Sequence, residues 1–208
     1  MPDESRITSD DLLGTMETWD GLMDFRVCLI ACGGTALTLL GIKESTKDVD
    51  FIVPIHEQYA RLLRFLRRIG YRESERVNGW EHPEDSSFLF QFWPGNRVFT
   101  TELLSSPLDE GRHTLIRRYQ RVYLGALNLI DLIITKMFRG HRVDVDDCIA
   151  VFGTGEVDAE ELRERYEEAA SYDVNAERMI SNFIYFVEEL SSRQLVDRDF
   201  LERVRSCR

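Results

Sequence analysis

The order of periodicities in the chain predicts a mixed α/β (α+β) core over residues 1–125 and a helical subdomain over residues 126–208. Three observations carry this. Short apolar runs bounded by turn residues alternate with amphipathic helical spacing through the first part, as in Val27-Cys28-Leu29-Ile30-Ala31 followed by Gly33-Gly34. Turn chemistry such as Pro94-Gly95-Asn96 joins neighbouring strand-like runs. After Gly153-Thr154-Gly155 only helical spacing remains, with an apolar stripe through Met179, Phe183, Phe186, Val187 and Leu190.

Element by element, Ser9 is placed as the N-cap of a first helix, with Asp10 and Asp11 in its opening turn and Leu12, Met16, Trp19 and Met23 on one face. Phe25 to Ala31 is an apolar run suited to a strand covered on both sides, Thr35 to Leu40 a short helix, and Asp48 to Pro54 the next strand. His56 to Ile69 has Tyr59, Leu62, Leu63 and Leu66 at helical spacing and stops at Gly70. Arg72 to Ser87 is charged, contains Gly79 and Pro83, and reads as a long surface loop. Strands are expected over Phe88 to Trp93 and Arg97 to Leu104, with a strand pair near Thr114 to Leu124. Helices are expected over Ala126 to Phe138, Val143 to Phe152, Asp158 to Ala170, Asn175 to Ser192 and Asp197 to Cys207.

With 208 residues, 43% of them hydrophobic, the chain can bury a substantial core. No apolar run approaches the roughly 18 residues of a membrane span, and the acidic opening Met1-Pro2-Asp3-Glu4 is unlike a secretory leader, so a cytoplasmic protein is expected. Cys28, Cys32, Cys148 and Cys207 are scattered and read as reduced thiols without metal-ligand pairing. A net charge of −11 opposes non-specific DNA binding. Two basic clusters stand against that background: Arg61, Arg64, Arg67 and Arg68 on one helix, and Arg112, His113, Arg117, Arg118 and Arg121 around the late strand pair. A solvated face is the default reading of each.

The chemistry concentrates between Cys32 and Val53. Asp48 and Asp50 alternate on a strand, which turns both carboxylates to one side, and hard oxygen ligands of this kind suit Mg²⁺. Gly33 and Gly34 end the preceding apolar strand and let the backbone approach a phosphate, while the N–H groups of the following helix face an anion. Thr35 can cap that helix and, by its hydroxyl or N–H, also hold a phosphate oxygen, since a capping position and an anion site share the same N–H groups. Glycine turn and acid pair together point to a metal–nucleotide site.

The pattern Gly33-Gly34, a gap, then Asp48-Val49-Asp50-Phe51 resembles the signature of the nucleotidyltransferase superfamily typified by DNA polymerase β. The lead-in Ser45-Thr46-Lys47 resembles the abortive-infection toxin type, and Leu129 to Lys136 with Arg139, Arg142, Asp144 and Asp147 is similar to a helical motif of the same group. The resemblance implies a nucleotidyltransferase-like mixed sheet flanked by helices, with a C-terminal helical bundle. It implies Mg²⁺-dependent transfer from a nucleoside triphosphate to an RNA, protein or small-molecule acceptor, with an antitoxin as a further partner. The alternative is a catalytically impaired binding or regulatory module of the same fold.

On this reading Asp48 and Asp50 hold metal, and Gly33, Gly34 and Thr35 hold the triphosphate. Lys136, set among apolar neighbours, either snorkels outward or reaches into the cleft, and the resemblance favours the cleft. Asp144 and Asp147 are expected to pair with Arg139 or Arg142. Active members place a third acid beside the first two. Gln91 stands where that acid is expected, and Glu102, with Val98 and Thr100 on its side of a strand, is assigned as the third acid instead.

Overall fold

The computed structural model describes residues 6–75, 78–81 and 88–206, which form two compact units meeting at Asn128 and Leu129. In the first unit the chain runs β1 (Ile7–Thr8), α1 (Ser9–Leu22), β2 (Val27–Ala31), α2 (Gly33–Leu39), β3 (Ser45–Thr46), β4 (Asp48–Val53) and α3 (His56–Arg68). It continues through β5 (Arg72–Glu73), β6 (Trp80–Glu81), β7 (Leu89–Pro94), β8 (Arg97–Val98), β9 (Thr101–Glu102), β10 (His113–Arg118) and β11 (Val122–Leu127).

Seven strands form one mixed sheet in the order β10-β11-β2-β4-β7-β6-β5. β2 runs parallel to β11 and antiparallel to β4, and β4 runs parallel to β7. β2 and β4 lie at the centre, and every residue of β2 and all of β4 except Asp48 are buried, as unbroken apolar runs require. Trp19 of α1 sits at the hub of one face, 6.2 Å from Phe65 of α3, 5.5 Å from Phe90 and 6.2 Å from Phe92, and Phe92 stacks on Phe51 of β4. The helical spacing of Leu12, Met16 and Trp19 is what buries that stripe.

Several boundaries differ from expectation for physical reasons. The N-cap of α1 is Thr8 and not Ser9: Thr8 and Asp11 form a capping box, each bonding the other's backbone N–H. Within the segment read as loop, β5 and β6 form an antiparallel edge that extends the sheet beyond β7, while residues 76–77 and 82–87 of it lie outside the described residues. Arg97 to Leu104 is not one strand, because the chain reverses at Phe99 (φ 52°) to make the β8–β9 hairpin, paired apart from the main sheet. Ala126 and Leu127 belong to β11 rather than to the helix after it.

The second unit is all helical: α4 (Leu129–Arg139), α5 (Arg142–Phe152), α6 (Ala159–Ser171), α7 (Ala176–Ser192) and α8 (Arg198–Ser206). Tyr166 of α6 stacks on Phe183 of α7 with centroids 4.3 Å apart, meets Phe138 of α4 edge-on at 5.2 Å, and donates its hydroxyl to the Met179 carbonyl. The expected stripe from Met179 to Leu190 is buried throughout. Cys207, taken as the end of the last helix, lies outside the described residues. Among the described residues no helix is long and apolar enough to cross a membrane.

Candidate active site

The acid pair is built by the contact of α2 with β4. Cys32 closes β2 by donating its N–H to the Asp50 carbonyl (3.1 Å), and the chain then turns at Gly33 with φ 56°, a conformation that a side chain disfavours. A Cβ on Gly33 would stand 3.1 Å from Asp50 Oδ2, and one on Gly34 would stand 2.6 Å from Thr46 Oγ1. Both glycines are therefore required by close approach: they let the first turn of α2 lie directly against the Asp50 carboxylate and against β3.

Thr35 is fully buried, and its hydroxyl accepts from the Asp50 N–H (2.8 Å) and donates to the Asp48 carbonyl (3.1 Å). The cap position of α2 is Cys32, so Thr35 is a clamp between helix and strand, and its side chain faces the backbone of β4. Thr46 adds a second brace, donating from Oγ1 to the same Asp48 carbonyl at 2.9 Å. In the sequence Thr46 stands out only within the Ser45-Thr46-Lys47 lead-in, two residues before Asp48.

Asp48 is exposed and Asp50 is buried, only 5% exposed, on the same side of β4 as their alternation requires. One carboxylate open to solvent and one beside a helix start make a hard, anionic donor set suited to a divalent cation. Among the described residues no cluster of three or more His, Cys, Asp or Glu side chains gathers as for a metal, so the set is limited to this pair.

The third-acid assignment is corrected by the sheet register. Asp50 is paired with Gln91 on the parallel strand β7, so the side chain beside Asp50 is a neutral amide, donating from Nε2 to the Asn78 carbonyl at 2.5 Å. Glu102 is exposed on β9 and paired with Arg97. Its hairpin leaves β7 where Pro94 pairs with Val53, and Val53 lies five residues along β4 from Asp48, about 16 Å at ~3.3 Å per residue. Alternation holds for Asp48 and Asp50 on β4, but it set Glu102 beside Val98, whereas the reversal at Phe99 pairs Val98 with Thr101 and Glu102 with Arg97, and it carries no register between β4 and β7.

Lys136 does not snorkel outward. It is 3% exposed within the helical unit, with Nζ 2.7 Å from Asp147 Oδ2 and 3.5 Å from Asp144 Oδ1, both on α5. Arg139 pairs with Asp144 as expected, through Nε at 2.8 Å and Nη2 at 2.5 Å. Burial alone would raise the Asp144 pKa, but the Arg139 hydrogen bonds and charge, with Lys136 and the His141 N–H, hold it below the ordinary carboxylate value. The cluster fastens α4 to α5.

Residues 97–195 match the model of a family described as nucleotidyltransferase of unknown function (DUF6036). No protein of curated function matches the sequence. The crystal structure of ANT(2")-Ia in complex with adenylyl-2"-tobramycin is similar over 77% of this chain and 95% of its own, at 13% identity and a TM-score of 0.53. The crystal structure of JHP933 from Helicobacter pylori aligns over 94% of this chain and 87% of its own, at 13% identity and a TM-score of 0.45. With its mixed sheet, its glycine turn and its paired aspartates on the central strand, this chain has the nucleotidyltransferase fold.

Proposed function

We propose that the protein binds a nucleoside triphosphate with Mg²⁺ and transfers its nucleotidyl group to an acceptor. The observation that carries this is the docking of the Gly33-Gly34 turn onto Asp50, with Asp48 open to solvent on the same side of β4. Asp48 and Asp50 would hold the cation, and when bound it would neutralise the phosphates and polarise the reacting phosphoryl group. The residues of the chain do the rest. The backbone N–H groups at the start of α2 face the triphosphate, and Thr35 and Thr46 keep the acids in place by fixing the Asp48 and Asp50 backbone. Lys136 is read as the anchor of α4 on α5 and not as a group that touches substrate.

The proposal extends to three acceptor classes. The ANT(2")-Ia complex contains an adenylylated small molecule, which supports a small-molecule acceptor. The Ser45-Thr46-Lys47 lead-in supports the toxin-type reading, with an RNA or protein acceptor and an antitoxin partner. Incubation with each α-labelled triphosphate, Mg²⁺ and total cell lysate identifies the class by which fraction is labelled. Label in any fraction that vanishes with Asp48→Asn supports transfer, and its absence from all fractions counts against it.

A second reading is favoured by one observation: Gln91, and no acid, pairs with Asp50. Two carboxylates without a third hold a divalent ion weakly, so the fold would then serve to bind nucleotide and regulate a partner. Nucleotide binding without transfer distinguishes this reading.

A further inference from the structure

The basic cluster at the β10–β11 hairpin is left unused by the acid-pair site, and three of its members, His113, Arg118 and Arg121, line a cavity of about 550 Å³ that includes the start of β2. Arg26, Arg118 and Arg121 converge there from the start of β2 and from the hairpin. Among the described residues none of these three guanidinium groups has a carboxylate partner, in a chain of net charge −11. Asp20 turns to the backbone here, its Oδ1 accepting the N–H groups of Arg121 and Val122 at 2.6 and 2.8 Å. The second basic cluster of the sequence differs in this respect. In its cavity of about 280 Å³, Arg68 has a carboxylate partner, Asp24 at 3.8 Å, and Arg61 and Arg68 lie over the rings of Phe25 and Phe65.

Two further features of the larger cavity point to a ligand. His113 bonds Tyr123 through Nε2 (2.6 Å), but its Nδ1 is buried with no hydrogen-bond partner, a state that native proteins normally relieve with water or a ligand. Ile55 and Leu108, 41% and 37% exposed, stand in the same lining and offer an apolar wall beside the cations. Arg118 lies over the Tyr123 ring at 5.3 Å, which leaves the outer face of the guanidinium plane free to take a second planar group. Cations for phosphate, a guanidinium platform for a flat ring and an apolar wall fit one chemical class.

We propose that this cavity binds a phosphorylated nucleoside at a site separate from the acid pair. Arg26 and Arg121 take the phosphate, Arg118 stacks on the base, and His113 Nδ1 meets a polar group of the ligand. The arginines stand at the Val27 end of β2, whereas Asp50 meets that strand at Cys32, five residues or about 16 Å away at ~3.3 Å per residue, and His113, paired with Leu127 near the Cys32 end, reaches back to Tyr123. The ligand is either a free nucleotide or the terminal nucleotide of an RNA strand, which share this chemistry.

The test is titration calorimetry of the full chain in EDTA, which disables the acid-pair site, with AMP, adenosine, inorganic phosphate and a five-residue oligoribonucleotide as probes. AMP is expected to bind equally to wild type and to Asp48→Asn/Asp50→Asn. It should bind at least about tenfold more weakly to Arg118→Glu/Arg121→Glu, the scale of a lost charge-assisted contact. Adenosine and phosphate alone should also bind at least tenfold more weakly. An oligoribonucleotide that binds tenfold more tightly than AMP assigns the site to a strand terminus, and equal affinity assigns it to free nucleotide. Exposed Arg26→Glu, read by the same loss, serves if the double variant fails to fold. The proposal is overturned if AMP does not bind at millimolar concentration, if the aspartate variant loses the binding, or if the arginine variants keep it. Because no metal and no turnover enter this measurement, its failure is distinct from failure of the transferase reading.

Discussion

Replacing Thr35 by valine keeps the volume of the side chain and removes the single oxygen that ties α2 to β4. Two hydrogen bonds go: the one accepted from Asp50 N–H and the one donated to the Asp48 carbonyl. The two losses are unequal. The Asp48 carbonyl keeps Thr46 Oγ1 at 2.9 Å, so its loss is small. The Asp50 N–H loses its hydroxyl acceptor inside a buried segment, and stranding a buried donor costs about 1–3 kcal/mol. For a domain of this size that converts to a fall in Tm of roughly 3–10 °C. Thr35→Ser keeps the oxygen and should recover most of the loss, apart from about 1 kcal/mol for the missing methyl group. Thermal unfolding followed by the fluorescence of Trp19, Trp80 and Trp93, all in the first unit, reads the effect. A Tm change below 1 °C for Thr35→Val, or equal losses for valine and serine, would refute the clamp.

Three further outcomes are expected. Lys136→Met removes the buried ammonium that Asp144 and Asp147 share and should destabilise the protein by about 3–5 kcal/mol, measured by urea unfolding; a change under 1 kcal/mol would show that the lysine does not anchor these helices. The folded-state pKa of Asp144 is depressed, so its stabilisation is present above its unfolded value of 3.8 and is lost as pH falls through the lower folded value. The Tm gap between wild type and Asp144→Asn should therefore be wide at pH 6, begin to narrow below about pH 4 and close only below the lower folded value, and a gap independent of pH contradicts the assignment. Gln91→Asp places a third acid beside Asp50 and should lower the Tm of the metal-free protein while raising Mg²⁺ affinity by about tenfold, read by calorimetry; unchanged affinity would show that this position does not face the cation.

What could be read from the sequence divides by the range of the interactions. Alternation placed Asp48 and Asp50 on one side of a strand, and glycine pairing marked the turn before it, because both are local properties of the chain. Asp158 and Asn175 do begin their helices, for the same reason. Thr8 and Ser9 are both good caps, and only the reciprocal bond with Asp11 decided between them. Ala126 and Leu127 continue an apolar run across a strand–helix junction, where composition alone carries no boundary. Gln91 and Glu102 could not be ranked correctly, since the register between β4 and β7 is a long-range property and the turn at Phe99 carries no glycine to announce it. The partners of Lys136 come from α5, and a helical wheel of α4 does not contain them.

The central claim is tested most directly by the melting temperature of the protein titrated with each of the four ribonucleoside triphosphates, with Mg²⁺ and with EDTA, in wild type and in Asp48→Asn/Asp50→Asn. A ligand that binds only the folded state at 100 times its Kd stabilises it by about 2.7 kcal/mol, several degrees for a chain of this size. The account predicts that at least one triphosphate raises the Tm with Mg²⁺, that EDTA removes most of the shift, and that the double variant keeps the fold but loses the Mg²⁺-dependent part. No Mg²⁺-dependent shift with any triphosphate at millimolar concentration, or the same Mg²⁺-dependent shift in the double variant, would contradict it.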